Sequence, residues 1–311
     1  MRRRDFVGMA AAAAVLSGAA QAQSTETSAT EQIVIDRSAT GQPHRGKVFA
    51  LITPHLDDGP IFAGGLIAKL VAEGYTGYFI RTSNDEKDSF DLTLGETVLA
   101  NERDTANFVK IAGLKKSYDL SYRNHRIDDV CRTELRGRLI FLFRLLKVDT
   151  VLSYDPWGHY EENPDHYVTA QAVEAACWMS AGRLDWPEHA EVGLKPHGVS
   201  EKYYFARGPQ LVNRVVDISP YIKQKVANIK SCDTMIVHMV KDVNETLAQR
   251  NLRLPAFTEG TGVDAFIQEA FVKRDHATGA KYKLDYAEEY HYIGPDASLD
   301  DYIKHNAKPL A

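Results

Sequence analysis

Short apolar runs of strand length alternate with longer stretches whose apolar residues recur at helical spacing. Residues 47–53 (KVFALIT) form the first such run, and Pro54 ends it. Residues 60–73 then carry Ile61, Phe62, Leu66, Ile67, Leu70 and Val71 on one helical face, with Pro60 suited to the first turn and Gly74 to the stop. The same pattern predicts strands at 75–82, 118–122, 149–154, 202–206 and 214–218. Helices are predicted at 96–112, 132–147, 164–181 and from 220 to about 238. Strands separated by helices of this length imply an α/β fold: a mostly parallel sheet with helices on both faces, built from right-handed crossovers.

Ahead of this frame the pattern is different. Residues 1–22 have the three parts of an export signal: a basic head at Arg2, Arg3 and Arg4, an apolar middle over 7–20, and a small-x-small cleavage site at Ala20-Gln21-Ala22. The apolar middle is shorter than the roughly 20 residues a spanning helix needs, so no membrane span is expected. Arg3-Arg4 followed by Phe6 fits the twin-arginine pattern, with an arginine-rich general secretory signal as the competing reading. Either signal implies a periplasmic or secreted protein. Residues 23–44, rich in Ser, Thr, Glu, Gln and Gly, read as a flexible leader, and 45–311 as a single domain.

Composition narrows the partners. A net charge of -5 and basic residues scattered along the chain give no general attraction to phosphate backbones, so nucleic acid is not expected as a partner. Cys131, Cys177 and Cys232 stand far apart, which excludes a cysteine zinc knot and favours free thiols.

In sheets of this kind ligands bind beyond the carboxyl ends of the strands. There the first strand is followed by Pro54-His55-Leu56-Asp57-Asp58, and the strand at 149–154 by a loop from Asp155 through His159 to Asn163-Pro164-Asp165-His166. Two histidines and one carboxylate with positions left open are the ligand set of a catalytic zinc site, and His55, Asp58 and His166 can supply it. Asp57 and Asp58 are neighbours in an irregular turn, so one can ligate while the other handles a proton. Each motif alone has a simpler explanation, because Asp57 or Asp58 could cap the following helix and Asn163 before Pro164 is a common helix cap.

Taken together, PHLDD followed by Gly64-Gly65, and NPDH at a second strand end, resemble the LmbE-like (PIG-L) family of N-acetylglucosaminyl deacetylases and related amidases. Weaker likeness extends to the helix ending at Gly113, to DTVLSYDP, to Val216-Asp217-Ile218 and to Tyr286-Ala287-Glu288. The resemblance implies a Rossmann-like three-layer sandwich, a Zn2+ held by His55, Asp58 and His166, and Asp57 as general base. The activity it implies is hydrolysis of an N-acyl amide, N-acetyl above all, on an amino sugar or other small-molecule or glycan substrate. A metal-dependent ester or phosphoester hydrolase and an inactive carbohydrate-binding protein are the competing readings.

Two departures from the family pattern stand out. Gly59 replaces a glutamate, and Asn163 replaces a histidine that stabilises the oxyanion or protonates the product. Asn163 retains the capacity to donate a hydrogen bond to an oxyanion, and His159 is the expected substitute for proton transfer. Arg81, Asn84 and Asp85, after the second strand, are expected to face the cleft, and Arg103 to meet substrate. Asp155 and Glu162 are expected to orient the ligand histidines. The segment 187–199 and the tail from 258 onward are expected to shape the cleft.

Overall fold

Strand β2 (Val48–Thr53) shows why the sheet is covered on both sides. Its side chains alternate, so Phe49 and Leu51 enter one apolar core while Ala50 and Ile52 enter another. The first core is closed by helices α1 (Asp58–Ala72) and α2 (Leu94–Ile111), through Leu66 and Phe108. The second is closed by α3 (Arg132–Leu146) and α4 (Pro164–Met179), through Leu139, Phe143, Val168 and Val173. In this computed structural model, which describes residues 33–260, 262–295 and 297–309, the fold is therefore the expected three-layer sandwich.

The remaining strands are β1 (Val34–Asp36), β3 (Thr76–Ser83), β4 (Lys116–Tyr122), β5 (Thr150–Tyr154), β6 (Glu201–Phe205), β7 (Arg214–Asp217) and β8 (Ala287–Ile293). They lie in the order β1-β7-β8-β6-β5-β2-β3-β4. All neighbours pair parallel except β8, which is antiparallel to both β6 and β7. The chain fills the sheet from β2 outward through β3 and β4, then returns to place β5 and β6 on the other side of β2. That reversal opens a crevice at the carboxyl ends of β2 and β5, where this architecture binds its ligands.

Two expectations are corrected, and one strand was not predicted. Part of the leader at 23–44 is an edge strand: β1 pairs with β7 through Val34, Ile35 and Asp36. The export signal at 1–22 and residues 23–32 lie outside the described residues. The helix expected from 220 to about 238 is two, α5 (Ile222–Lys230) and α6 (Asp233–Ala248), because the Asp104 carboxylate accepts from the Thr234 amide at 2.7 Å and stops the first turn of α6 from continuing α5. Strand β8, with AEEYHYI, has too many charges to read as a central strand, yet it sits between two others.

What makes β8 tolerable is Glu288. Its buried carboxylate accepts from the Gly65 and Leu66 amides of α1, both at 2.9 Å, and from the Tyr290 hydroxyl at 2.7 Å. Lys225 of α5 lies 2.8 Å from Glu288 and 2.6 Å from Asp275, with all three side chains almost wholly buried. Close approach here requires glycine, since a Cβ on Gly65 would fall 2.4 Å from the Cγ2 of Ile218. None of the described helices is long and apolar enough to cross a membrane.

The Lys225 ammonium is the charge that keeps Asp275 and Glu288 from facing each other unscreened. Breaking such a buried set from one side costs about 3–5 kcal/mol. Lys225→Met should accordingly lower the urea midpoint by that equivalent at unchanged m-value, and a loss under about 1 kcal/mol would contradict this role.

Candidate metal centre

The loop after β2 is fixed before it reaches any ligand. Thr53 Oγ1 donates to the His55 carbonyl at 2.7 Å, and the Asp85 carboxylate accepts from the Leu56 amide at 3.1 Å. Asp85 is in turn held by Arg81 at 2.8 Å, and Arg81 by Asp119 at 2.7 Å. Arg81 is therefore fully enclosed in an ion-paired chain that steadies the His55 loop. It does not face the cleft, as the sequence suggested, because two carboxylates consume its guanidinium.

At the neighbouring strand end, Asn163 caps α4, its Oδ1 accepting from the Asp165 amide at 3.0 Å. The cap and the ligand readings are compatible here, since capping sets the first turn that aims His166 into the crevice. Asp57 stands at the cap position of α1 but makes no side-chain cap bond, so its carboxylate is left for other use. Asp58 turns back instead, accepting from the His55 amide at 3.1 Å.

The three expected ligands converge. His55 Nδ1 lies 3.2 Å from His166 Nε2, and the Asp58 carboxylate lies 3.4 Å from His55 Nδ1 and 3.6 Å from His166 Nε2. All three are buried, and they form the one group of this kind found among the described residues. The far nitrogen of each ring has its own carboxylate: His55 Nε2 is 3.3 Å from Asp165, and His166 Nδ1 is 3.1 Å from Glu161. With the protons on those far nitrogens, the near nitrogens and the Asp58 carboxylate present three donor atoms to one point. Such a buried convergence is a place for a cation, and the N, N, O donor set suits zinc.

Further contacts tighten the centre. Tyr154 donates to Asp58 Oδ1 at 2.6 Å and stacks on the His166 ring with centroids 4.2 Å apart. Asp165 also accepts from the His125 and Ile127 amides, and Glu161 is gripped by Arg207. The orienting carboxylates are thus Asp165 and Glu161, not Asp155 and Glu162. Asp155 instead binds the His291 ring and the Trp157 amide, and the Glu162 side chain is 89% exposed.

A cavity of about 210 Å³ opens on the centre, lined by the three ligands with Asp57, Asp88, Asn163 and Arg207 on its polar part. Ile61, Phe62, Met235, Met239 and Phe271 supply an apolar part. Phe271 belongs to a π-helical turn, Gln268–Val272, so the tail does shape the cleft as expected. The imidazole in this cavity beyond the ligands is His125, not His159. His159 is on the exposed outer side of its loop, its amide donating to the Pro209 carbonyl at 3.3 Å. His125 is held at a φ of +60°, an uncommon backbone state for a non-glycine residue, by the bond from its amide to Asp165. Arg103 is exposed on α2 beside Phe90 and Asp233, outside the cavity.

The electrostatics separate the two aspartates of the turn. Burial, then the charges of Asp58 and Asp88, push the Asp57 carboxyl well above its ordinary range. Burial pushes Asp58 the same way, but His166, His55 and Tyr154 outweigh it and hold Asp58 at about 2. Asp88, also buried, is pushed up to about 6, with His55 opposing and Asp85 assisting. His55 is raised despite its burial, because Asp88, Asp165 and Asp58 favour positive charge at that point. The field of the site is thus one that stabilises a cation.

Residues 50–177 match PIG-L, the GlcNAc-PI de-N-acetylase family. A relative from Thermococcus kodakarensis, diacetylchitobiose deacetylase, is 27% identical over 187 residues, covering 58% of this chain and 67% of the relative. Among solved structures, N,N'-diacetylchitobiose deacetylase from Pyrococcus horikoshii superposes with a TM-score of 0.64 at 21% identity, over 81% of this chain and 88% of that one. GalB, the 4-carboxy-2-hydroxymuconate hydratase from Pseudomonas putida KT2440, superposes with a TM-score of 0.59 at 17% identity, over 85% and 100%. The matched segment runs from within β2 into α4 and so contains both loops that carry the candidate ligands. Met235, Met239 and Phe271 lie beyond it. The GalB likeness shows that the fold alone does not decide the reaction.

Within the matched segment, Gly59 packs on β2 so tightly that a Cβ would fall 2.4 Å from Leu51 Cδ2. The glutamate of the family pattern is therefore incompatible with Leu51 in its present position.

Glu161→Gln should weaken metal binding about tenfold or more, since partners of ligand histidines typically matter by that amount. Glu162→Gln should leave it unchanged. Competition with a chelator measures both, and equal affinities in the two variants would contradict the assignment.

Proposed function

We propose that the protein is a zinc-dependent hydrolase that removes an acyl group, acetyl above all, from the nitrogen of an amino sugar or glycoconjugate. The observation that carries this reading is Asp57: a buried carboxylate on the cavity wall beside the His55, Asp58 and His166 centre, with no hydrogen bond to its side chain among the described residues. A site built for binding alone has no use for such a group. The deacetylase activity named for the Thermococcus relative agrees with the reading.

His55, Asp58 and His166 would hold the zinc. The chemistry a zinc ion supplies in such a site is Lewis acidity, which acidifies water and polarises a carbonyl. Asp57, raised above the usual carboxylate range, takes the proton from the attacking water and returns it to the departing amine. Tyr154 keeps Asp58 ionised and in place. Asn163 has its oxygen committed to the helix cap, which presents Nδ2 3.3 Å from His166 Nε2 as a fixed donor for the oxygen that gains charge.

The export signal read in residues 1–22 would place the reaction in the periplasm or outside the cell, on a small-molecule or glycan substrate. The single centre and lone base favour amide hydrolysis over phosphoester chemistry, which more often employs two metals.

Asp57→Asn should lower kcat for acetate release at least about a hundredfold while leaving zinc content unchanged. Turnover at the wild-type rate would remove Asp57 as the base, and loss of zinc would show that it is a ligand instead.

A further inference from the structure

One polar group in the cavity has no part in the steps above. Asp88 is 7% exposed and lines the cavity. Its Oδ1 accepts from Asn124 Nδ2 at 2.9 Å, while Oδ2 has no hydrogen-bond partner among the described residues. The backbone around it is fixed as well: the Asp88 amide donates to the Asp85 carbonyl at 3.1 Å, and the Asp88 carbonyl accepts from the buried Asn101 side chain at 3.4 Å. An acceptor held on one oxygen and left open on the other, in a buried cavity, is arranged for a donor that arrives from outside.

The rest of the cavity indicates what kind of donor. Arg207 is the permanent cation among its lining residues, and its guanidinium is already occupied by Glu161 through Nε at 3.1 Å and Nη2 at 2.5 Å. Away from the metal centre, an acidic substituent on the substrate would therefore meet Asp88 without a free counter-charge. Met235, Met239 and Phe271 offer flexible apolar surface to the remainder.

Resting on the deacylase reading, we infer that Asp88 is the specificity-determining residue of this site. It takes a hydrogen-bond donor, hydroxyl or ammonium, on the amine portion of the substrate and excludes substrates that carry an acidic group there. A charge-assisted bond of this kind is worth about tenfold or more in affinity.

The test is calorimetric binding to the zinc-loaded chain, wild type and Asp88→Asn, with N-acetylglucosamine, glucosamine and N-acetylglucosamine 6-phosphate as probes. Asparagine keeps an acceptor for Asn124, and unfolding curves with zinc content establish that the variant is intact. The expected result is that wild type binds the two uncharged or cationic sugars more tightly than the phosphate, and that the variant loses about tenfold for whichever of the two binds and narrows the gap to the phosphate. Preference for glucosamine would identify an ammonium as the donor, and preference for N-acetylglucosamine a hydroxyl. Equal affinities in the two proteins, tighter binding of the phosphate by wild type, or no binding of any probe would overturn the assignment. Acetate release by wild type in any of those cases would leave the deacylase reading standing, so the two failures are distinguishable.

Discussion

Two imidazole nitrogens and a carboxylate, buried and within 3.2–3.6 Å of one another, form the arrangement on which the account of this molecule depends. Such a cluster is arranged to take a cation, with Asp165 and Glu161 beside the far nitrogens of the two rings. Much of the surrounding structure serves to hold that geometry. Tyr154, Asp85 and Arg81 fix the first loop, and the Asn163 cap with Arg207 fixes the second.

The scaffold imposes this at small cost because each loop leaves the end of a buried parallel strand. β2 and β5 are adjacent in register, so the residues that follow them meet without a long excursion. The helices those loops feed, α1 and α4, lie on opposite faces, which opens the crevice between them. On the far side, Glu288 ties β8 into the middle of α1 and so links the tail of the chain to the helix that begins with a ligand.

Most of the parallel sheet and all three candidate ligands are legible in the sequence, for two physical reasons. Strands buried on both faces are continuous apolar runs, and His, Asp and His immediately after them have no use in a core. What escaped is the part whose position depends on distant contacts. β8 reads as too polar for an interior strand because its Glu288 is neutralised by Lys225, far away in sequence. His125 sits in the cavity only because its amide is drawn to Asp165, whereas His159, nearer the motif, is carried outward by its loop. The carboxylates beside the ring nitrogens are Asp165 and Glu161, where the sequence pointed to Asp155 and Glu162 of the same segment. In an irregular loop nothing in the spacing says which side chain turns inward. Asp88 and Arg207 lack any local signal, although the positive φ of His125 marks the region once coordinates exist.

The central claim is that His55, Asp58 and His166 share one metal ion. Crystals of residues 23–311 grown with zinc, with diffraction recorded on both sides of the zinc absorption edge, test it most directly. The account predicts a single strong anomalous peak between His55 Nδ1, His166 Nε2 and the Asp58 carboxylate, with Asp57 outside the coordination shell. A map with no peak there, or with a peak bound through Asp57 and Asp88, would contradict it.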